Sequence, residues 1–425
     1  MEIKKVKPSV LEGTLQIPAS KSISHRSVIC AALAEGVSKV HGLVMSQDIQ
    51  VTMDCMQALG AQMHWEEDVL LVRGIGGGTA AGQAKLFCGE SGSTLRFLIP
   101  IAAALGVSAE FTGAGRLGDR PLSVYEEILP QKGISWSRKE KWLPLTVCGE
   151  LQGGTYGVRG DISSQFITGL LLALPLLTED SEIVLTTQLE SEPYVKLTLA
   201  AMDAFGVHVV KTPEGYKIPG GQTYKACEYT VEGDFSQAAF ILCAGALAAG
   251  EAGVTLTGLY PKTLQGDAAI LDILRDMGAD LTWTPEGLLV KKARQLHNIT
   301  VDASQCPDLV PVVAAIGCCS EGTMRIVNAA RLRIKESDRL SAVHDEYEKI
   351  GAQIREYPDG LEIDGNPAGY EGGTGDSQND HRMAMSLAVL ALRTQKGITV
   401  TDAMSVRKSW PAFWEDFALI GGCYE

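Results

Sequence analysis

The 425-residue chain lacks most of the patterns that identify an active site at a glance. Ten cysteines are present, but none are spaced Cys-x-x-Cys, and Cys318 and Cys319 are merely adjacent. Without zinc-type spacing, these cysteines read as buried free thiols in a reducing cytoplasm. There is no Gly-x-x-x-x-Gly-Lys-Ser loop, no Gly-x-Ser-x-Gly elbow and no evident Ser-His-Asp set, so acid/base and electrostatic chemistry without metal or organic cofactor is expected. Positive charge is short: 37 Lys and Arg stand against 51 Asp and Glu, a formal net charge of −14. That excludes the extended basic surface a nucleic acid requires, but not a few cations converging on a small anion. Long apolar runs are also absent. The longest, residues 166–177, contains Gly169 and Pro175 and falls short of the roughly 20 residues needed to span a bilayer. No apolar stretch follows Lys4, Lys5 and Lys7, so no signal peptide is expected, and a cytoplasmic location is.

What is there is a globular composition, 45% hydrophobic and 21% charged, at a length that suggests two or three domains. A repeat runs through it. Apolar segments end in glycine followed by a small or β-branched residue at Gly60, Gly133, Gly206, Gly278, Gly351 and Gly421, at spacings of 73, 73, 72, 73 and 70 residues. Such a glycine commonly ends a helix in the left-handed conformation before a strand begins. A second series, of small polar residues opening apolar helices, is marked by Lys21, Ser91, Ser163, Ser236, Asp308 and Asp380, at spacings of 70, 72, 73, 72 and 72. Together they predict six units of about 70 residues, each strand-helix-strand-helix-strand-strand. Ser, Asp and Asn at these places are natural N-caps, which is the full reading for Asp234 and Ser236. Six equivalent helix N-termini, if gathered, would make an anion site.

Several segments carry more polarity than capping requires. Lys21 and Arg26 sit at a helix start, where cations are unfavourable without a bound anion, while His25 beside them reads as a surface residue. Glycines in Gly89-Glu90-Ser91-Gly92-Ser93-Thr94-Leu95-Arg96 let backbone amides approach a ligand. Gly113 to Pro121, with Arg116 and Arg120, reads as a mobile cationic loop. Ser163, Ser164 and Gln165 are three polar side chains where a cap needs one. Tyr194 fits a lid or the core equally well. In Arg331 to Arg339, Lys335 and Arg339 are four apart, on one face of an expected helix, with Glu336 beside them. Asn379-Asp380-His381-Arg382 and Val406-Arg407-Lys408 complete the set.

In this order the segments resemble the enolpyruvyl transferases over nearly the whole chain. The Lys21-Ser22 pair with Arg26, the Ser163 to Gln165 run, Lys335-Glu336-Ser337-Asp338-Arg339 and Asp380-His381-Arg382-Met383 carry the resemblance. It is closest to the members that use shikimate 3-phosphate as acceptor.

The resemblance implies an α/β (α+β) fold of two lobes, each of three βαβαββ repeats in an inverse αβ-barrel-like arrangement. One lobe, residues 20–230, would lie on the shikimate-phosphate side. The other, residues 1–19 and 231–425, would lie on the phosphoenolpyruvate side, with the active site between them. It implies transfer of the enolpyruvyl group of phosphoenolpyruvate to the 5-hydroxyl of shikimate 3-phosphate by addition and elimination. No cofactor, metal, nucleic acid or membrane is expected, and the chain is expected to be a monomer. By matched position, Ser22, Arg26, Ser163, Ser164, Gln165 and Tyr194 are implied contacts of shikimate phosphate. Lys21, Gly92, Arg120, Arg339, Arg382 and Lys408 are implied contacts of phosphoenolpyruvate. Lys21, Asp308, Lys335 and Glu336 are the implied catalytic groups, with Asp308 and Lys335 beside the 5-hydroxyl and Glu336 the proton donor to the methylene carbon.

The chain departs from the family pattern in two places. Common members have Asn-Ala-Gly-Thr where this chain has Glu90-Ser91-Gly92-Ser93, so either the loop is shifted or Glu90 pairs with an arginine. Arg331 also replaces a common Asn. The transferases that act on UDP-N-acetylglucosamine are the nearest alternative, but they carry a Cys where Gly115 stands, five residues before Arg120-Pro121. A non-catalytic anion binder is a second alternative, disfavoured because every matched acid/base position is occupied.

Overall fold

The computed structural model describes residues 2–76 and 82–425. All six repeat-ending glycines have positive φ, from 77° at Gly206 to 121° at Gly60. Each ends a helical segment and is followed within a few residues by a strand, as Lys349–Gly351 leads from the Arg339–Glu348 helix into Gln353–Tyr357. A side chain at such a position would be strained, which is why glycine recurs there.

The described residues form six four-stranded sheets. In the repeat beginning at Gln83–Phe87, that strand runs parallel to Ser108–Thr112. Ser108–Thr112 pairs antiparallel with Leu145–Gly149, which in turn pairs antiparallel with Ile134–Arg138. The same order, first-second-fourth-third, recurs in all six. In each parallel pair a helix leads directly into the second strand, as Gly92–Ala104 leads into Ser108–Thr112. Strands cover these helices on one face only, so they alternate buried and exposed residues, as Thr323–Val327 does.

Three repeats are contiguous in sequence and three are not. Glu228–Thr230 supplies the first strand for the repeat of Val37–His41. Leu11–Gln16 supplies it for the repeat of Ala249–Thr257. Lys4–Lys7 completes the last repeat, between Ile398–Thr401 and Cys423–Tyr424. The chain accordingly divides into two compact units, Lys21–Val231 and Met1–Ser20 with Glu232–Glu425.

Within the second unit the helices Phe235–Ala248, Val310–Cys318 and His381–Ala391 are buried along their whole length. Such helices are apolar all round rather than amphipathic. Each buried Leu, Ile or Val contributes about 1.5–3 kcal/mol. Their polar starts are held at fixed places by this core. Among the described residues no helix is long and apolar enough to cross a membrane.

Candidate active site

In the unit Lys21–Val231, three helix starts carry the polar residues. Lys21 opens the helix Lys21–Leu33, and its Nζ donates to Asp48 Oδ2 at 3.0 Å. Asp48 is buried in the first turn of the helix Gln47–Ala58, where a carboxylate suits the helix dipole. Arg26, 3% exposed, donates to Thr198 Oγ1 (2.8 Å), the Ser22 carbonyl (2.6 Å) and the Tyr194 carbonyl (2.9 Å). It therefore fixes the backbone that presents Ser22 and Tyr194. Burial presses its guanidinium down to about 10.

The helix Gly92–Ala104 starts at the Ser91 cap, whose Oγ accepts from the Thr94 amide at 3.2 Å. A hydrogen-bonded row continues from Ser91 through Thr94 (2.8 Å) and Thr52 (2.6 Å) to His25 Nδ1 (2.8 Å). The Arg120 guanidinium lies on Gly92: a Cβ built there would stand 2.7 Å from Arg120 Nη1. Gln165 links two elements, accepting from Arg96 Nη1 at 2.7 Å and donating to Ser93 Oγ at 2.9 Å. Ser163 caps the helix Ser164–Ala173 through the Gln165 amide. Burial, and then the charge of Arg120, press the Arg96 guanidinium down to about 9. Two guanidiniums that oppose one another in a buried place are stabilised by an anion between or beside them.

In the other unit the cluster centres on the Asp308 carboxylate. Arg339 Nη1 (2.8 Å) and Lys335 Nζ (3.4 Å) approach Oδ1, and Arg382 Nη2 (3.2 Å) approaches Oδ2. Arg339 also donates from Nε to Asp380 Oδ2 at 2.8 Å, and its Nη2 is 3.9 Å from Glu336 Oε1. His381 Nδ1 is 2.9 Å from Glu336 Oε2. Lys408 Nζ donates to the Asn379 carbonyl at 2.5 Å. Burial disfavours the Asp380 carboxylate, but Arg339 outweighs it and holds the group below the usual carboxylate range. Glu336, Asp380 and His381 bring ligand-type atoms within 4.8 Å of one another. At that place the Arg339 guanidinium already supplies the counter-charge that a metal cation would bring.

Two expectations need correcting. Lys335 and Arg339 do not share a helical face: residues 330–334 form a 3-10 turn, Lys335 is extended, and the helix starts at Arg339 after the Asp338 cap. They meet instead at Asp308. His25 is not a surface residue; it is 1% exposed, and burial, then Lys21 and Arg26, hold it well below the usual histidine range, hence neutral. Asp234 does cap its helix, accepting from the Ser236 and Gln237 amides.

Sequence reasoning did not single out Asp48, Arg96 or His381 as site residues. Arg96 and His381 lay inside motifs already recognised, four residues after Gly92 and one after Asp380. Asp48 carried no local signal, because its partner Lys21 is 27 residues away.

Each cluster sets fixed cations beside carboxylates, an arrangement suited to small anionic substrates and to proton transfer. The sequence profile of the EPSP synthase (3-phosphoshikimate 1-carboxyvinyltransferase) family matches residues 5–417. A 3-phosphoshikimate 1-carboxyvinyltransferase of Clostridium beijerinckii is 45% identical, over 99% of this chain and 98% of its own. That of Clostridium kluyveri is also 45% identical, over the same shares. Among solved structures, EPSP synthase from Acinetobacter baumannii superposes with a TM-score of 0.83 at 26% identity, covering 100% of this chain and 99% of that one. The enolpyruvyl transferase NikO from Streptomyces tendae, at 17% identity and a TM-score of 0.80, shares the fold. This chain belongs to the EPSP synthase family.

Proposed function

We propose that the chain, acting as a monomer, transfers the enolpyruvyl group of phosphoenolpyruvate to the 5-hydroxyl of shikimate 3-phosphate and releases inorganic phosphate. The observation that carries this reading, beyond family membership, is the convergence of Lys335, Glu336, Arg339 and Arg382 on or beside the Asp308 carboxylate. These are the groups the reaction needs in one place.

In the addition step a proton passes from Glu336 to C3 of phosphoenolpyruvate, leaving C2 electron-poor. The 5-hydroxyl forms the new C–O bond to C2 and gives its proton to Asp308 or Lys335. In the elimination step C3 loses a proton and the C2–O bond to phosphate breaks, so phosphate leaves with the bridging oxygen. The 2.9 Å contact from His381 holds Glu336 in place and gives it a proton-exchanging neighbour.

Lys21, Gly92, Arg120, Arg339, Arg382 and Lys408 receive phosphoenolpyruvate in this reading. Ser22, Arg26, Ser163, Ser164, Gln165 and Tyr194 receive shikimate 3-phosphate, Arg26 by fixing the carbonyls of Ser22 and Tyr194. Each charge-assisted hydrogen bond to the substrates contributes about 1.5–3 kcal/mol. Holding phosphoenolpyruvate and shikimate 3-phosphate in a fixed orientation turns a bimolecular step into an oriented one.

The test is phosphate release from phosphoenolpyruvate in metal-free buffer with shikimate 3-phosphate, with UDP-N-acetylglucosamine, or with neither. Release only with shikimate 3-phosphate supports the reading. Release only with the nucleotide sugar, or with no acceptor, overturns it.

A further inference from the structure

The turn at residues 89–92 and the loop at residues 113–121 are docked on each other at three points. The Ala114 amide donates to the Gly89 carbonyl at 2.7 Å. The Glu90 carboxylate lies on Gly115, where a built Cβ would stand 2.4 Å from Glu90 Oε2 and 2.5 Å from its Cδ. The Arg120 guanidinium lies on Gly92, 2.7 Å from where a Cβ would be. Between Gly115 and Arg120 the loop is a continuous set of short turns. Leu117 donates to Ala114 (3.1 Å), Asp119 to Arg116 (3.0 Å) and Arg120 to Leu117 (3.2 Å). The far side is tied down as well: Trp142 donates to the Gly118 carbonyl at 3.1 Å, and Arg96 to the Pro121 carbonyl at 3.1 Å. A chain braced in this way passes a displacement at Gly115 on to Arg120 rather than absorbing it.

We infer that Glu90 is a positioning residue for Arg120: by packing on Gly115 it seats the loop that lays the guanidinium over Gly92. Residues 90 and 92 of one turn thus hold the two ends of the loop, one by filling space and the other by leaving it. Gly115 has a φ of 54°, and Glu90 occupies the volume its side chain would need, so the two residues form a coupled pair. The end of the Glu90 side chain makes this contact, and Gln keeps its shape.

The kinetic part of the test rests on the function proposed above; the proteolytic part does not. Glu90→Ala is expected to raise the KM for phosphoenolpyruvate about tenfold, leaving kcat and the KM for shikimate 3-phosphate within about threefold, while Glu90→Gln stays near the parent. Gly115→Ala is expected to show the same defect, and the Glu90→Ala/Gly115→Ala double variant to recover part of it, because the clash is gone. Trypsin should cut after the exposed Arg116 about tenfold faster in Glu90→Ala than in the parent or Glu90→Gln. If Glu90→Ala does not fold, by circular dichroism, Glu90→Asp retracts the carboxylate by one methylene and takes its place. The inference is overturned if the KM for phosphoenolpyruvate and the trypsin rate stay at parental values, if both KM values rise together, or if the double variant is no better than Gly115→Ala. A parent chain that does not turn over overturns the functional reading alone, and the trypsin rates then decide the role of Glu90.

Discussion

Arg339 and Asp380 form an ion pair with 2% and 0% side-chain exposure, Nε to Oδ2 at 2.8 Å. Asp380 also caps the helix His381–Ala391 through the Arg382 amide at 3.0 Å and accepts from Ser337 Oγ at 3.0 Å. Its carboxylate thus joins two segments of the chain, 337–339 and 380–382. Removing one partner of a buried pair leaves the other charged and unsatisfied, at a cost of about 3–5 kcal/mol. Asp380→Ala is expected to lose that much stability in urea unfolding. A loss under about 1 kcal/mol, the size of a cap alone, would show that the pair is not buried as described.

His25 gives a pH dependence. Its folded pKa lies well below the unfolded value of about 6.5, so the unfolded chain binds the extra proton as pH falls. The stability this group contributes is present above about pH 6.5 and is lost as pH falls toward its folded value, by up to about 1.4 kcal/mol per pH unit. His25→Gln should flatten that part of the stability-pH curve. An unchanged slope would mean that His25 is protonated in the fold.

Gly92→Ala tests the Arg120 contact. A Cβ at 2.7 Å from Nη1 forces the guanidinium to move. The KM for phosphoenolpyruvate should rise on the order of tenfold or more while that for shikimate 3-phosphate holds. Equal rises in both would argue that the helix start, not Arg120, had shifted.

Lys21→Met and Glu336→Ala should abolish most turnover while leaving the fold intact, since both side chains lie in polar motifs outside the apolar core. Loss of the circular dichroism spectrum in either variant would assign that residue a structural role instead.

The sequence made the repeat legible because each unit needs a left-handed residue where a helix gives way to a strand, and glycine serves at every one, from Gly60 to Gly421. It made the polar helix starts legible for a related reason: a surplus such as Ser163-Ser164-Gln165 exceeds what a cap can use. It did not show that Leu11–Gln16 and Glu228–Thr230 serve repeats whose other strands lie elsewhere in the chain, because strand pairing is long-range. The same limit hid Asp48 behind Lys21. The helical spacing of Lys335 and Arg339 was misleading: the Asp338 cap starts the helix after Lys335, so the two cations converge through Asp308 instead.

The most direct measurement of the central claim uses phosphoenolpyruvate carrying oxygen-18 in the bridge between C2 and phosphorus. After turnover with shikimate 3-phosphate, the released phosphate is analysed by mass spectrometry. Addition and elimination break the C2–O bond, so the phosphate should carry the label and the organic product should not. Label retained in the organic product would mean that the P–O bond breaks, and would contradict the account.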